Sequence, residues 1–299
     1  MSKIIRIASQ IDKSVNFIYP SAHVGKFEAR YVCRDFDPDR TDNYFILYLS
    51  SQSGCDQACR FCHLTTTGQN KLENATLEDF LKQAELVYSH YDQLPEKAQI
   101  IHYNFMARGE ALNNPVILND NETLFRELER LASNRNLQAK HLISTIMPQD
   151  LGNKTLVSIF PRTTPDIYYS IYSTNEKFRK RWLARALPYQ RSLELLKQWQ
   201  EYNGKIPKIH FAFIKGENDS EEDVVNIANA INDIDLKVNF NIVRYNPYSP
   251  KYGEESDIET INRNTEILAG LLKPDNYRIV PKVGFDVKAS CGMFVDKNV

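Results

Sequence analysis

The sequence predicts an α/β fold, either a (β/α)6 partial barrel or an open parallel sheet, with a small N-terminal β-hairpin extension. From about residue 44 onward, short runs rich in β-branched and aromatic residues alternate with longer stretches that have apolar residues at helical spacing. Such alternation is typical of βα units around a parallel sheet. Six segments carry the strand pattern, at 44–49, 99–106, 140–145, 166–172, 208–214 and 237–243.

The segments between the predicted strands carry helix start signals. Thr76 and Asp79 have the spacing of a capping box, and Asp219 or Ser220 can cap a later helix whose first turn is acidic. The stretches NETLFRELERLASN and QRSLELLKQWQEY show helical apolar spacing. These segments supply the helices that connect the parallel strands.

The N-terminal part of the chain has a different pattern. The stretches SVNFIYP and GKFEARYVCRD alternate as the two strands of a hairpin, with Pro20 and Gly25 in the turn region. We therefore expect an extension at residues 1–43 and a core with a C-terminal tail at residues 44–299. One more strand and a tail that contains glycine are expected after residue 276.

Composition and charge exclude several classes of protein. Hydrophobic residues make up 42% of the 299 residues and charged residues 25%, which is typical of an ordered globular domain. A net charge of -1 gives no overall attraction to nucleic acid or anionic membrane, so a nucleic-acid substrate would need a local basic patch. No run of about eighteen apolar residues and no secretory signal pattern is present, and we expect a cytoplasmic protein.

Three of the five cysteines fall in one short loop, at C-x3-C-x2-C directly after the first core strand. Cys55, Cys59 and Cys62 suit a [4Fe-4S] cluster in which one iron keeps an open position, as a catalytic metal centre requires. Phe61 can shield such a cluster from solvent. The alternative is a noncatalytic zinc-binding module in which His63 supplies a fourth ligand.

The pattern C-x3-C-x-aromatic-C after the first strand of a (β/α)6 fold resembles the radical S-adenosylmethionine (radical SAM) superfamily. The resemblance implies that the open iron binds the amino and carboxylate groups of S-adenosylmethionine. An electron from the cluster then cleaves this cofactor to a 5'-deoxyadenosyl radical, and an external donor such as a flavodoxin or a ferredoxin supplies electrons to the cluster.

Further segments, from about residue 24 to residue 293, resemble the RlmN/Cfr branch, which methylates aromatic carbons of an adenosine in ribosomal RNA. The quoted stretches are RGEAL (108–112), STIMP (144–148), YSIYSTN (169–175) and VRYNP (243–247). The resemblance implies a cofactor site formed by Gly109, Glu110, Ser144, Ser170, Ile171, Tyr172 and Asn246.

The tail stretch VKASCGM (287–293) resembles the closing Ala-Cys-Gly of this branch. It implies that Cys291 carries a methyl group, because an aromatic C–H carbon cannot attack the methyl sulfonium whereas a thiolate can. The deoxyadenosyl radical then removes hydrogen from that S-methyl, and the methylene radical adds to the ring. Glu28, in KFEARYV, aligns with an acid that is the proton acceptor of the family; a strand-edge acid is the alternative.

The sequence departs from the family at several positions. Tyr48 lies seven residues before Cys55, where the family has a cysteine that resolves the covalent adduct through a disulfide, and a phenol cannot form one. Either Cys33 moves in, or release follows another chemistry, or the product differs. The alternative for Cys33, which we prefer, is an ordinary half-buried residue. Ala111 and Tyr172 replace a proline and a histidine, and the helical N-terminal domain of the family is not expected. These changes weaken ribosomal RNA as the target more than they weaken the reaction type.

The stretch KFRKRWLAR (177–185) has five basic residues together with Phe178 and Trp182. It can contact phosphates and stack bases, or it can be a solvated helix face.

Together these motifs predict a monomeric radical SAM methyltransferase that acts on a nucleic-acid base, in RNA rather than DNA, through Cys291. The alternatives are radical chemistry on a DNA base, a nucleotide or a peptide, and the zinc-binding module.

Overall fold

A computed structural model of the chain describes residues 4–34, 36–37 and 39–299. The predicted N-terminal extension thus includes five positions, residues 1–3, Asp35 and Pro38, that lie outside the described residues. The described strands form one ten-stranded sheet whose spatial order follows the chain. They are β1 (Ile5–Ala8), β2 (Val15–Pro20), β3 (Lys26–Val32), β4 (Tyr44–Tyr48), β5 (Ile100–Phe105), β6 (Gln138–Thr145), β7 (Asp166–Tyr169), β8 (Lys208–Phe211), β9 (Asn239–Val243) and β10 (Tyr277–Val280).

Helices connect the strands of the core. They are α1 (His63–Thr66), α2 (Leu77–Tyr91), α3 (Pro115–Asn119), α4 (Asn121–Ser133), α5 (Leu156–Ile159), α6 (Glu176–Trp182), α7 (Tyr189–Asn203), α8 (Glu221–Asn232) and α9 (Ile258–Leu272). The capping box at Thr76 and Asp79 is confirmed, and Ser220 rather than Asp219 caps α8. Within the described ranges, no helix has the length and apolar character needed to cross a membrane.

The predicted hairpin is confirmed and continues the sheet of the core. Strands β2 and β3 pair antiparallel, with Pro20 opposite Lys26. Strand β3 pairs antiparallel with β4, so the extension and the core share one sheet. The sequence reading missed β1, which pairs with β2, because its four residues are too few for a periodic pattern.

All six predicted core strands are present, and β4 to β10 are parallel neighbours. Two of them end three residues earlier than predicted. Strand β7 ends at Tyr169, and Tyr172 beyond it has a φ of 56°, which no strand residue adopts. Strand β8 ends at Phe211, where the chain turns into a loop at the carboxyl edge of the sheet.

The sheet curves but does not close, as predicted for a partial barrel. Alternate residues such as Phe45 and Leu47 pack against the helices in the main core, whereas Ile46 and Tyr48 face the inside of the curve in a separate small cluster. On the inner face of the curved sheet, Arg278 of β10 donates a hydrogen bond to the hydroxyl of Tyr44 on β4, at 3.4 Å. The carboxyl ends of β4 to β10 therefore surround a common space.

Candidate active site

The loop between β4 and α1, which carries the three clustered cysteines, is anchored by its backbone. The amide of Ser51 donates to the carbonyl of Arg108 at 2.8 Å, and the amide of Cys55 donates to the carbonyl of Gln69 at 3.1 Å. The side chain of Asn114 donates to the carbonyl of Ser51 at 2.7 Å. These bonds hold the loop against the segment that follows β5, so the cysteines have a fixed support.

Cys55, Cys59 and Cys62 line one cavity at the carboxyl ends of the strands. Burial raises the pKa of each thiol, and for Cys55 and Cys59 the neighbouring cysteines raise it further. Three such thiols stay protonated at neutral pH unless a metal centre supplies positive charge, which deprotonates coordinating thiols outright. The donor set therefore fits an iron-sulfur cluster held by cysteine thiolates.

His63 does not join these cysteines. Its ring is 2% exposed, and its Nε2 lies 3.0 Å from the carbonyl oxygen of Asn246, to which it donates. Among the residues that the structure describes, no group of three or more His, Cys, Asp and Glu side chains is close enough to hold a single metal ion. The ring of His63 thus supports the Asn246 loop, and this geometry does not favour the zinc alternative.

Gly109 and Glu110 follow β5 and line the same cavity. Gly109 has a φ of 93°, and a Cβ there would lie 2.6 Å from the Cβ of Gln52, so only glycine fits. Glu110 accepts hydrogen bonds from the amides of Leu112 at 3.1 Å and Ile146 at 3.2 Å. Burial nevertheless raises the pKa of Glu110 to about 7. A buried carboxyl of this kind is stabilised in its charged form by an ammonium group, which fits the amino group of S-adenosylmethionine.

Three more of the predicted cofactor residues line the cavity, namely Ser144, Ser170 and Tyr172. The hydroxyl of Ser144 is buried and has no hydrogen-bond partner in the described part of the chain, so it is available to a ligand. The ring of Tyr172 stacks on Phe61 with centroids 4.4 Å apart. Phe61 also lines the cavity, beside the cysteines that it was expected to shield.

Two predicted cofactor residues lie outside the cavity lining. Ile171 is fully buried in the core, and its carbonyl accepts a hydrogen bond from Arg179 at 2.9 Å. Asn246 holds the tail, because its side chain donates to the carbonyl of Cys291 at 3.0 Å and to the hydroxyl of Ser290 at 3.2 Å. Neither residue lines the cavity, and each contacts a segment that neighbours the lining.

Cys291 itself lines the cavity together with the three loop cysteines. The tail after β10 returns over the carboxyl ends of the strands, and the amide of His63 donates to the carbonyl of Gly292 at 3.0 Å. Burial and the neighbouring Cys62 raise the pKa of the Cys291 thiol to about 11, although Arg30 and Arg34 oppose the shift. The role of methyl carrier stays a prediction, and this position is compatible with it.

Glu28, the predicted proton acceptor, is not in the cavity lining. Its carboxylate is 0% exposed and lies 2.8 Å from Nε of Arg108 and 3.0 Å from Nη2 of Arg30. Burial alone would raise the pKa of Glu28, but Arg108 and Arg30, with a hydrogen bond from Asn16, hold it below its ordinary value. A carboxylate engaged in this way is a poor proton acceptor.

Cys33 and Tyr48 lie on opposite faces of the sheet. Cys33 packs on the helix side with Tyr31 and Tyr91. Tyr48 faces the inside, where its hydroxyl accepts a hydrogen bond from Arg34 at 3.2 Å and its side chain shares a recess with Cys291. Cys33 therefore cannot approach Cys291 without crossing the sheet, and the suggestion that it replaces the resolving cysteine is wrong for this fold.

The base-stacking interpretation of residues 177–185 is also wrong. Phe178 and Trp182 are buried and stack on each other, with centroids 5.7 Å apart, so neither can meet a base. Arg179 is buried and donates to the carbonyls of Ile171, Ser173 and Leu187. What remains is a surface patch, which we call the α6 basic patch: Lys177, Lys180, Arg181 and Arg185.

The α6 basic patch lies beside the cysteine loop. Arg185 pairs with Asp56 at 3.1 Å, and Cys59 pairs with Leu183 through an isolated β-bridge. Arg181 pairs with Glu217 at 2.9 Å. Lys177 and Lys180 are exposed and have no ion pair within the described chain. The α6 basic patch therefore contacts the cysteine loop at its C-terminal end and keeps two unpaired lysines on the surface.

Sequence reasoning missed the roles of Arg30 and Arg108, two buried arginines that bind Glu28. One signal was present: Arg30 is two residues after Glu28 in a strand, so the two side chains share a face. Arg108 was quoted in RGEAL without a role. No sequence signal connects it to Glu28, which lies 80 positions away.

Comparisons with known proteins agree with this fold. No protein-family model matches the chain. The chain is 25% identical over 260 residues to the dual-specificity RNA methyltransferase RlmN of Phenylobacterium zucineum, covering 84% of this chain and 64% of that one. It is 29% identical over 269 residues to RlmN of Bdellovibrio bacteriovorus, covering 84% and 59%. The chain thus spans less than two thirds of the length of each of these two relatives.

A solved structure has the same fold. The crystal structure of a radical SAM methyltransferase from Sphaerobacter thermophilus aligns with 98% of this chain and 80% of its own, with a TM-score of 0.74 and 18% identity. The fold and the cysteine loop together define the radical SAM class. Within that class, the similarities support the RlmN/Cfr-like branch, and the prediction from the motifs is confirmed.

Proposed function

We propose that this chain is a radical SAM methyltransferase that modifies an aromatic carbon of a nucleic-acid base, with adenosine in RNA as the first candidate. One observation carries the proposal: Cys55, Cys59, Cys62 and Cys291 line a single cavity at the carboxyl ends of the strands. Three thiols suit a cluster with an open iron, and a fourth thiol faces the same space. A protein that only stored a cluster would have no use for the fourth.

The cavity residues divide between binding and orientation. The three loop cysteines would hold a [4Fe-4S] cluster, which supplies one-electron cleavage of S-adenosylmethionine when both are bound. Glu110 would bind the amino group of the methionine moiety, because its buried carboxylate has no cationic partner among the described side chains. Gly109 leaves room beside it, and Ser144 offers a free hydroxyl.

Cys291 would carry the methyl group. Its thiol is largely protonated at neutral pH, since burial and Cys62 raise the pKa to about 11, so methylation requires loss of that proton as the sulfur attacks. Arg30 and Arg34 both favour the thiolate. Tyr48 faces the same recess without a thiol, so release of product cannot use a disulfide at this position.

RNA is the favoured substrate because the relatives are named RNA methyltransferases and the α6 basic patch contacts the cysteine loop. The absence of a thiol at Tyr48 favours one second candidate, the same radical chemistry on another base or nucleotide with a different end product. We extend the proposal to an external one-electron donor, such as a flavodoxin or a ferredoxin, and to a monomeric enzyme.

The first experiment is anaerobic reconstitution with iron and sulfide. We expect a brown protein that consumes S-adenosylmethionine when a reductant is added, and a variant with Cys55, Cys59 and Cys62 changed to alanine should stay colourless. A colourless wild-type protein that contains zinc would contradict the proposal.

The second experiment identifies the product. Mass spectrometry of the protein after incubation with the cofactor should find a methyl group on Cys291. Nucleoside analysis of RNA and DNA from cells with and without the gene should find one methylated base that depends on it. A gene-dependent change in DNA alone would favour the second candidate.

A further inference from the structure

We propose that Glu28 is a positioning residue: it organises a buried clamp that fixes the tail carrying Cys291, and it is not a proton acceptor. The clamp consists of Lys26, Glu28 and Arg30 on β3 together with Arg108 after β5. The significance of Cys291 rests on the proposed function, whereas the clamp itself rests on contacts alone.

The three clamp residues on β3 alternate along the strand. Because side chains two apart in a strand share a face, Lys26, Glu28 and Arg30 all point to the side where the tail lies. All three residues are at most 8% exposed, although lysine, glutamate and arginine are almost never fully buried unless paired. A row of three charged side chains inside the molecule therefore requires specific partners.

The tail supplies those partners through its backbone. Arg30 donates to the carbonyl of Ala289 at 3.3 Å and to that of Met293 at 2.7 Å, two residues before and two residues after Cys291. Nζ of Lys26 donates to the backbone oxygens of Asp296 at 3.0 Å, Lys297 at 2.9 Å and Val299 at 2.6 Å. The bond pair made by Arg30 thus brackets Cys291.

Glu28 lies at the centre of the clamp. Its Oε1 accepts from Nε of Arg108 at 2.8 Å and from the amide of Val295 at 3.2 Å, while Arg108 donates to the carbonyl of Val295 at 3.2 Å. Its Oε2 accepts from Arg30 at 3.0 Å and from Asn16 at 2.9 Å. Glu28 and Arg108 together bind the amide and the carbonyl of the same tail residue, Val295.

The charges of the clamp depend on Glu28. It is the buried anion that faces Arg30 and Arg108, and removing one partner of a buried ion pair leaves an uncompensated charge that is strongly destabilising. The same four donors leave little capacity for a substrate proton, and the carboxylate does not line the cavity. A positioning role explains both observations, and a proton-acceptor role explains neither.

The test compares Glu28→Gln with Asp92→Asn in the cluster-loaded protein. Asp92 pairs with Arg135 on the far side of α2, so its variant removes one carboxylate from an arginine without touching the tail. Hydrogen exchange of residues 287–299 and alkylation of Cys291, resolved by peptide mass spectrometry, are the readouts. We expect E28Q to accelerate both by roughly tenfold or more, because the tail opens locally, and D92N to leave both unchanged.

Exchange and alkylation at wild-type rates in a folded E28Q protein would overturn the proposal, because loss of a proton acceptor alone leaves the tail in place. Should E28Q fail to fold, Lys26→Met provides the test, since it removes three tail contacts without leaving a buried charge unpaired. K26M should accelerate exchange at residues 294–299, and unchanged exchange there would contradict the clamp. Neither readout requires methyl transfer, so failure of the proposed function would not affect them.

Discussion

Two cysteines outside the cluster loop differ in position and should differ in consequence. Cys291 lines the cavity, and Cys33 packs on the other face of the sheet. We expect Cys291→Ser to lower the rate of methyl transfer by more than about a hundredfold, because a hydroxyl is a far weaker methyl acceptor than a thiolate. The variant should keep the cluster absorption and the cleavage of S-adenosylmethionine.

Cys33→Ser is the matched control for that experiment, and it should retain methyl transfer. Both variants are measured by incorporation of labelled methyl groups and by the visible spectrum of the cluster. Equal activity of the two variants would show that Cys291 is not the methyl carrier.

The depressed pKa of Glu28 predicts a pH dependence of stability. Arg108 and Arg30 hold the folded-state pKa below the ordinary value of 4.5, with Lys26 and Asp296 also nearby. A group of this kind contributes stability that is fully present above the unfolded pKa and is lost as the pH falls through the folded pKa. The difference in melting temperature between wild type and E28Q should therefore be constant from about pH 5.5 to 7.5 and shrink in more acidic buffers. A difference that grows toward acid would contradict this assignment.

At the scale of elements, the alternation of side chains along a strand decides which positions can approach Cys291. Tyr48 on β4 shares a recess with Cys291, whereas Cys33 follows β3 on the helix side. We expect Tyr48→Cys to form a disulfide with Cys291 under mild oxidation, which peptide mass spectrometry under nonreducing conditions would detect. Wild-type protein treated in the same way should give no disulfide between Cys33 and Cys291. Absence of the Y48C disulfide would place the tail elsewhere than in this structure.

The elements themselves were largely predictable from sequence. The six core strands and the hairpin show clear alternation or apolar runs, and these patterns depend only on neighbouring residues. Strand ends at the carboxyl edge were less predictable, since YSIY and HFAFI keep a strand pattern past Tyr169 and Phe211. Beyond Tyr169 the chain leaves the sheet, and the loop that follows contributes Ser170 and Tyr172 to the cavity.

At the scale of the whole molecule, the α6 basic patch is the candidate surface for the proposed RNA substrate. Lys177 and Lys180 of this patch are exposed, and Arg185 of the same patch pairs with Asp56 in the cysteine loop. We expect the double variant K177Q/K180Q to weaken RNA binding by roughly threefold to tenfold and to flatten its dependence on salt, because each lost phosphate contact reduces the release of counterions. Binding is measured by fluorescence anisotropy over a series of salt concentrations.

The control for that experiment is K205Q/K237Q. Lys205 and Lys237 precede β8 and β9, at the amino ends of the strands and away from the cavity mouth. This double variant changes the net charge by the same amount and should leave RNA binding nearly unchanged. Equal weakening by both pairs would indicate a nonspecific charge effect instead of a binding surface.

The sequence by itself determined the fold class and the cysteine loop, because both are written in local spacing: strand alternation and C-x3-C-x2-C. The role of Cys291 as methyl carrier stays a prediction, which depends on the resemblance of a short motif around it to the family. Only the tertiary structure decided the surroundings of Glu28, the face on which Cys33 lies and the burial of Phe178 and Trp182. The physical reason is that these depend on partners distant in the chain, as between Glu28 and Val295, which are 267 positions apart. Local patterns specify which elements form, and packing specifies which side chains meet.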